Sequence, residues 1–412
     1  FDQAWKELVY QIVTQRSAGS RIWDVDGNDY VDTVLGLGTN LLGHSPDFVV
    51  AAIREQLEHG YDVSAQSDLL GRVSEMVCAM TGNDRLAFTS SGSEAVGTAI
   101  RVARTVTGRD KVAYFTDDIH GRTDIVLGRS IETGGELRMV PSVAGVPQRA
   151  IDDALVLAYG TESALDAIKA HASELALVLV EPVRTRNPDL QPIGFLHELR
   201  KLADERGFLL VFDETVTGFR AHPGGVQAMF DVRPDLTTYG KTLGGGLPIA
   251  AVAGTSGYVD VIDGGPWTFG DSSFPEADVT ASGGTFIKHP LSLAAARAVL
   301  THLKERGPSL QAGLNERTFQ AVAAISETYA SDGIPVHIEH FSSFFRPTLR
   351  GDTRFAGLFH YYLREHGVHT NPPAPSFLST AHSEADIEAV VEAYRAAGRE
   401  MVRDGFLDAG PR

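Results

Sequence analysis

Two runs of consecutive apolar residues, Leu175–Val180 and Phe208–Phe212, constrain the fold of this chain more than any other feature of its sequence. Each has the length of a strand, each leads into an acid (Glu181 and Asp213), and helical periodicity over Leu196–Arg206 separates them. The alternation extends outward. Arg85–Glu94 reads as strand, turn and helix start, and Lys111–Phe115, Leu137–Val140, Ala154–Leu157 and Pro234–Tyr239 read as further strands, with helical or glycine-rich segments between them. Repeated strand–helix alternation implies an α/β chain with a mostly parallel, doubly wound sheet.

After Pro290 the pattern changes. Leu291–Glu305 and Leu310–Ala330 read as long helices, Val336–His340 and Ser343–Pro347 as short strands, and Phe355–His366 and Glu384–Val402 as closing helices. This predicts a smaller α+β domain. An N-terminal arm, Phe1–Arg16, and a hairpin over Arg21–Asp32 turning at Asp26-Gly27-Asn28 are expected to join it. The expected boundaries are 1–55 for the arm and hairpin, 56–289 for the large domain and 290–412 for the C-terminal part of the small one. At 412 residues, 43% of them hydrophobic, the chain is long enough to bury such cores.

Charge and cysteine usage narrow the partners. A net charge of −17 argues against nucleic acid or an anionic membrane, although a local pocket of N–H groups still suits a small anion. A single cysteine, Cys78, fits a reducing cytoplasm. No apolar run has the length to span a bilayer and no basic-plus-apolar leader is present. A start at Phe1 suits a trimmed chain or an excised domain.

Chemistry concentrates at two places. Asp213 ends an apolar run, where a carboxylate faces a ligand at a strand's carboxyl end. Lys241 follows the strand-like Pro234–Tyr239 and opens the glycine run Gly244-Gly245-Gly246. A lysine removed from solvent there loses basicity and condenses with an aldehyde as a Schiff base. Pyridoxal phosphate needs both groups, an amine for its aldehyde and an anion for its ring nitrogen. Taken alone, K-x-x-G-G-G fits a glycine hinge beside a solvated lysine equally well. A third place is Ser91-x-x-Glu94, a capping box at the start of a helix. It is either an ordinary N-cap or a phosphate site in which Gly92 and Ser93 present N–H groups and a hydroxyl.

Other chemistries are not supported. The spacing of Gly36, Gly38 and Gly43 is wrong for a dinucleotide loop, and G-x-S-x-G, P-loop and H-E-x-x-H motifs are missing. His337-x-x-His340 and His366-x-x-His369 have no neighbouring cysteine or acid cluster, so no metal is expected.

Ser91-Gly-Ser-Glu94, Asp213-Glu214 with Thr217-Gly-Phe-Arg220, Tyr239-Gly-Lys241 and Gly283-Gly-Thr285 stand in order at suitable intervals. Together they resemble the class III aminotransferases of pyridoxal-phosphate fold type I, and within them the glutamate-1-semialdehyde aminomutase-like group. The stretches Glu181–Pro192, Gly218–Gly225, Gly283–Pro290 and Pro375–His382 resemble more closely the aminotransferase domains of polyketide and nonribosomal peptide synthetases.

The resemblance implies a homodimeric enzyme that moves an amino group from an amino-acid donor to a β-ketoacyl chain on an acyl or peptidyl carrier protein. A stand-alone aminomutase or ω-aminotransferase using the same residues is the alternative. An inactive binding module of the same fold would have no need of Lys241 and Asp213. Within the resemblance Lys241 bonds the cofactor and shuttles the proton, and Asp213 pairs with the ring nitrogen. Ser91, Gly92 and Ser93 form the phosphate end, and Thr285 reaches the phosphate of the neighbouring subunit. His120 and Glu181 lie near the cofactor. Ile119 and Thr215 replace an aromatic residue and a valine that normally cover the two ring faces. Arg184, Arg186, Arg220 and Lys288 are the cations expected at the pocket mouth, with ion pairing inside the protein as their alternative role.

Overall fold

The computed structural model describes residues 3–133, 136–350 and 354–408; Phe1 and Asp2, the start of the expected arm, lie outside them. The described chain forms two compact units. One comprises Phe1–Val50, Thr185–Asp189 and Pro308–Arg412, and the other Ala51–Arg184 and Leu190–Gly307. The helix Pro290–Arg306 belongs to the second unit and not to the C-terminal segment of the small domain, where its place in the sequence puts it. Its buried face (Leu293, Ala296, Leu300, Leu303) packs on the helix Leu69–Thr81 and on the turn Lys241–Gly244.

The second unit is built on a seven-stranded sheet: β1 (Arg85–Thr89), β2 (Lys111–Phe115), β3 (Ala154–Leu157), β4 (Leu175–Val180), β5 (Leu209–Asp213), β6 (Leu236–Tyr239) and β7 (Ala250–Gly254). Their spatial order is β1-β7-β6-β5-β4-β2-β3. Only β7 runs against the rest, pairing antiparallel with both β6 and β1; the other pairs are parallel. The expectation of a mostly parallel sheet is met. All six residues of β4 and all five of β5 are buried, so these strands consist of apolar runs instead of alternating faces. Glu136–Pro141, which covers one expected strand, leaves the main sheet and pairs with Gly128–Thr133 as a separate hairpin.

Because β1, β2, β4, β5 and β6 point the same way, the residues after them meet at one edge of the sheet. Those residues are Ser91–Ser93, Asp118–Gly121, Glu181–Arg184, Asp213–Thr215 and Lys241. This is the crevice that open α/β sheets use for ligands.

In the first unit, Thr14–Ala18, Arg21–Asp24, Asp29–Asp32 and Val368–His369 form one sheet, and Val336–Phe341, Phe344–Leu349 and Ser376–Phe377 another. The expected hairpin turn is present. Gly27 has φ +89°, and Asp24 closes the turn by accepting from the N–H groups of Asp26 and Asn28. Helices Ser309–Asp332 and Glu384–Arg403 complete the unit, the latter opened by a reciprocal cap between Ser383 and Asp386. Among the described residues no helix is long and apolar enough to cross a membrane, and no cluster of His, Cys, Asp or Glu is arranged to hold a metal.

Candidate active site

β5 ends on Asp213, and the structure gives this carboxylate a full set of donors. His120 Nδ1 lies 2.9 Å from Oδ2. The N–H of Thr215 donates to Oδ1 at 3.1 Å, and the hydroxyls of Thr215 and Thr238 donate to the same oxygen, the latter at 2.8 Å. Burial opposes ionisation, but His120 and then the two threonines outweigh it, so Asp213 stays below the usual carboxylate range. His120 is buried too. Burial alone would strip its proton, yet Asp118 and Asp213 on its two nitrogens raise its pKa to about 10. Asp213 is therefore an anion held by an imidazolium.

Lys241 opens a short 3-10 turn, Lys241–Gly244, directly after β6 and Gly240. Its φ is +43°, a left-handed conformation that is costly for a side-chain-bearing residue and is maintained by the buried turn around it. Burial lowers its pKa from the ordinary lysine value; the nearby charges of Asp213 and Glu181 oppose this and Arg220 reinforces it. The amine thus sits among the strand-end acids and is easier to deprotonate than a surface lysine.

Glu181, after β4, accepts the N–H of Ile119 at 2.8 Å. Burial, with Asp118 adding to it, raises its pKa to about 7. Glu214 is buried beside Asp213, accepts from the N–H groups of Val226 and Gln227 and from the Thr217 hydroxyl, and is likewise raised to about 7 by burial. Gly225 is required next to it: at φ +77°, a Cβ there would lie 2.5 Å from the Glu214 carboxylate.

A pH dependence follows. Glu181, Glu214 and His120 all have folded pKa values above their ordinary ones. Each contributes stability that is present below the ordinary value and is lost as pH rises through the raised one. For the two glutamates that window runs from 4.5 to about 7. In the cofactor-free protein, scanning calorimetry from pH 5 to 7.5 should show the wild-type Tm falling relative to that of Glu181→Gln, which keeps an acceptor for Ile119; buried histidines such as His360 and His382, whose pKa values burial lowers to about 4, act in the opposite direction but equally in both proteins. A wild-type Tm that rises relative to the variant's over this range contradicts the charge assignment.

The helix Gly92–Thr107 starts at the edge of the same cluster. Ser91 caps it by accepting from Glu94 N–H at 3.3 Å, while Glu94 reaches back to the N–H of Ser90 at 2.7 Å, one residue earlier than in a reciprocal capping box. Gly121 presses on this terminus: a Cβ on it would lie 2.4 Å from Ser93 Oγ, and its φ of +83° suits glycine. The loop carrying His120 is thereby seated against Ser93, and the helix N-terminus lies open to an anion.

Thus the structure brings together Asp213, Thr215, His120, Glu181, Lys241, Gly92 and Ser93. Ile119 joins them through its backbone, and the residue is about half exposed. Thr285 is exposed on the irregular stretch before Pro290 and makes no hydrogen bond to the cluster among the described residues. Of the four cations expected at a pocket mouth, Arg184 and Arg220 are buried instead. Arg184 donates to the Thr116 carbonyl at 2.6 Å and approaches Asp118 at 3.9 Å. Arg186 is exposed and Lys288 half-buried. The histidine pairs have ordinary partners: His337 meets Asp189 at 2.6 Å and His366 meets Glu400 at 2.9 Å.

Asp118 and Thr238 also belong to the site, although neither stands out in the sequence. Asp118 follows β2 as Asp213 ends β5, so the strand-end rule applied to every strand would have found it. Thr238 carries no such signal, since a threonine inside a strand is common.

The donor set fits pyridoxal phosphate: a buried, ionised carboxylate for a ring nitrogen, a desolvated lysine for an aldehyde, and a glycine-bordered helix terminus for a phosphate. Comparison with known proteins agrees. Residues 3–331 match the family described as aminotransferase class-III. The chain is 36% identical over 402 residues to glutamate-1-semialdehyde 2,1-aminomutase of Methylacidiphilum infernorum, covering 93% of this chain and 89% of the relative. It is similar to the crystal structure of an omega-transaminase from Sphaerobacter thermophilus, with TM-score 0.87, 27% identity, and coverage of 95% and 91%. It is also similar to the FumI protein of Sphingopyxis sp. MTA144, solved in a PLP form, with TM-score 0.83, 25% identity, and coverage of 96% and 91%.

Proposed function

The chain belongs to the class-III aminotransferases, enzymes of fold type I that bind pyridoxal phosphate, and we propose that it moves an amino group onto the carbonyl of a small keto acid or aldehyde. The observation that carries this reading is the convergence of Lys241, Asp213 and Glu181 at one edge of the sheet. A relative that is an aminomutase and a structural neighbour that is an omega-transaminase support small acceptors.

When bound, pyridoxal phosphate supplies an aldehyde that takes up the amino group and a ring that draws electrons from the bond being broken. Lys241 would hold it through Nζ, and the same amine would move the proton at the donor's Cα. Asp213 would hold the proton of the ring nitrogen, and His120 keeps that carboxylate ionised and oriented. Ser91, Gly92 and Ser93 would take the phosphate, and Glu181, on the far side of the Asp213 strand, acts on the amine through its charge.

A second reading, a β-ketoacyl thioester on a carrier protein, is supported by the synthetase-like stretches Glu181–Pro192 and Gly283–Pro290 and by the exposed cation Arg186. The test is mass spectrometry of amination with a panel of amino-acid donors. It compares free keto acids and aldehydes with the same chain on a short thioester mimic and on a carrier. A higher kcat/KM for free acceptors is expected, and isomerisation without an added donor would mark an aminomutase. A clear preference for the carrier-loaded chain overturns the small-acceptor reading in favour of the second.

The same proposal includes a homodimer in which Thr285 completes the partner's phosphate site. Trp267, Phe269, Phe274 and Phe286 support it, because they are 59–93% exposed on the stretch that carries Thr285, more aromatic surface than a free subunit ordinarily leaves in water. Light scattering should give twice the 44.3 kDa chain mass. A monomer that binds cofactor stoichiometrically and turns over would contradict the shared site.

A further inference from the structure

Thr215 is fixed from several sides. A Cβ built on Gly92 would lie 2.9 Å from its Cγ2, and one built on Gly240 would lie 3.1 Å from the same atom. Because both neighbours are glycine, the methyl group fits between the helix N-terminus and the residue before Lys241. With the methyl seated there, Oγ1 turns to Asp213 and donates to Oδ1, the oxygen that also receives the N–H of Thr215 and the hydroxyl of Thr238. Oδ1 is therefore crowded by donors, while Oδ2 receives His120 Nδ1. A carboxylate oxygen has about two lone-pair sites, so the direction left for a ligand's N–H is on Oδ2.

We propose that Thr215 is a positioning residue whose hydroxyl limits how strongly Asp213 holds a proton on the ring nitrogen, an inference that rests on the cofactor reading of this site. Each donor to a carboxylate stabilises its charge and lowers its basicity. An aliphatic residue of the same shape would leave Asp213 with one donor fewer and a firmer hold on the proton. Position 215 thus sets the strength of the electron sink through Asp213. The other charges around Asp213 are unchanged by such a replacement: His120 backed by Asp118, Glu181, Glu214 and Lys241.

The test uses the full-length protein loaded with pyridoxamine 5′-phosphate carrying 15N at the ring nitrogen. The ring 15N shift is followed against pH for the wild type, Thr215→Val, Thr215→Ser and Asp213→Asn. Thr215→Val is expected to raise the midpoint of ring deprotonation by about half a pH unit or more, Thr215→Ser to leave it at the wild-type value, and Asp213→Asn to lower it. A purely structural role would lower the midpoint in the valine variant or leave it unmoved, and either result overturns the proposal, as does a serine variant that follows valine. If the wild type does not bind the ligand, or Asp213→Asn leaves the midpoint in place, the cofactor reading itself fails and this inference with it.

Discussion

Lys241→Ala should abolish turnover, lowering kcat by at least about 10³-fold, while leaving the fold intact. The side chain at position 241 is asked for two things that no neighbour supplies, a bond to the cofactor aldehyde and a base at the donor's Cα. Stability should hold, because the substitution removes an amine that burial makes costly to charge and leaves the turn Lys241–Gly244 with the same backbone. A small primary amine added to the variant should restore part of the proton transfer, since the space once filled by the side chain admits it. Circular dichroism and single-turnover kinetics on wild type and variant measure both halves. Activity within tenfold of wild type would remove Lys241 from the mechanism.

Asp213→Asn is expected to be the most damaging change that keeps the shape of the site. It removes the charge from a buried pair and leaves the His120 imidazolium with Asp118 alone, a loss of about 3–5 kcal/mol for breaking a buried ion pair. The pH window follows from the two shifts. The contribution of Asp213, whose folded pKa is lowered, is present above 3.8 and is lost as pH falls through the lowered value. That of His120, whose folded pKa is raised, is present below 6.5 and is lost as pH rises through about 10. The difference in stability between wild type and variant should therefore be largest between pH 3.8 and 6.5 and shrink towards pH 10. Denaturant unfolding across that range reads it directly. A constant difference at all pH values would mean that the pair is not ionic. Turnover should fall as well, because an amide holds no proton on a ring nitrogen.

Much of this site is legible in the sequence, for a physical reason. A parallel sheet buries its strands on both faces, so β4 and β5 appear as unbroken apolar runs and the first polar residue after each marks the ligand edge. Glu181 and Asp213 stand out in this way. Lys241 is legible because the short turn it opens is closed by glycines in left-handed conformations, Gly245 at φ +56° and Gly246 at φ +106°. What the sequence hides depends on contacts between distant segments. The histidine at 120 is recognisable by motif, but its position between Asp118 and Asp213 comes from the adjacency of loops that follow β2 and β5. The burial of Arg184 is hidden for a similar reason: an arginine in a loop reads as exposed until the carbonyl of Thr116 and the ring of Tyr159 are found around it. Thr215 looks like a loss of covering surface in the sequence, whereas in the structure its hydroxyl serves Asp213.

The assignment of the lysine is tested most directly by reducing the pyridoxal-phosphate-loaded protein with borohydride, digesting it and locating the added cofactor mass by peptide sequencing. A single modified residue, Lys241, is expected in the peptide that contains Tyr239 and Gly240, with no label in the Lys241→Ala variant. Label fixed at Lys201 or Lys288, or a wild-type protein that takes no label at all, would contradict it.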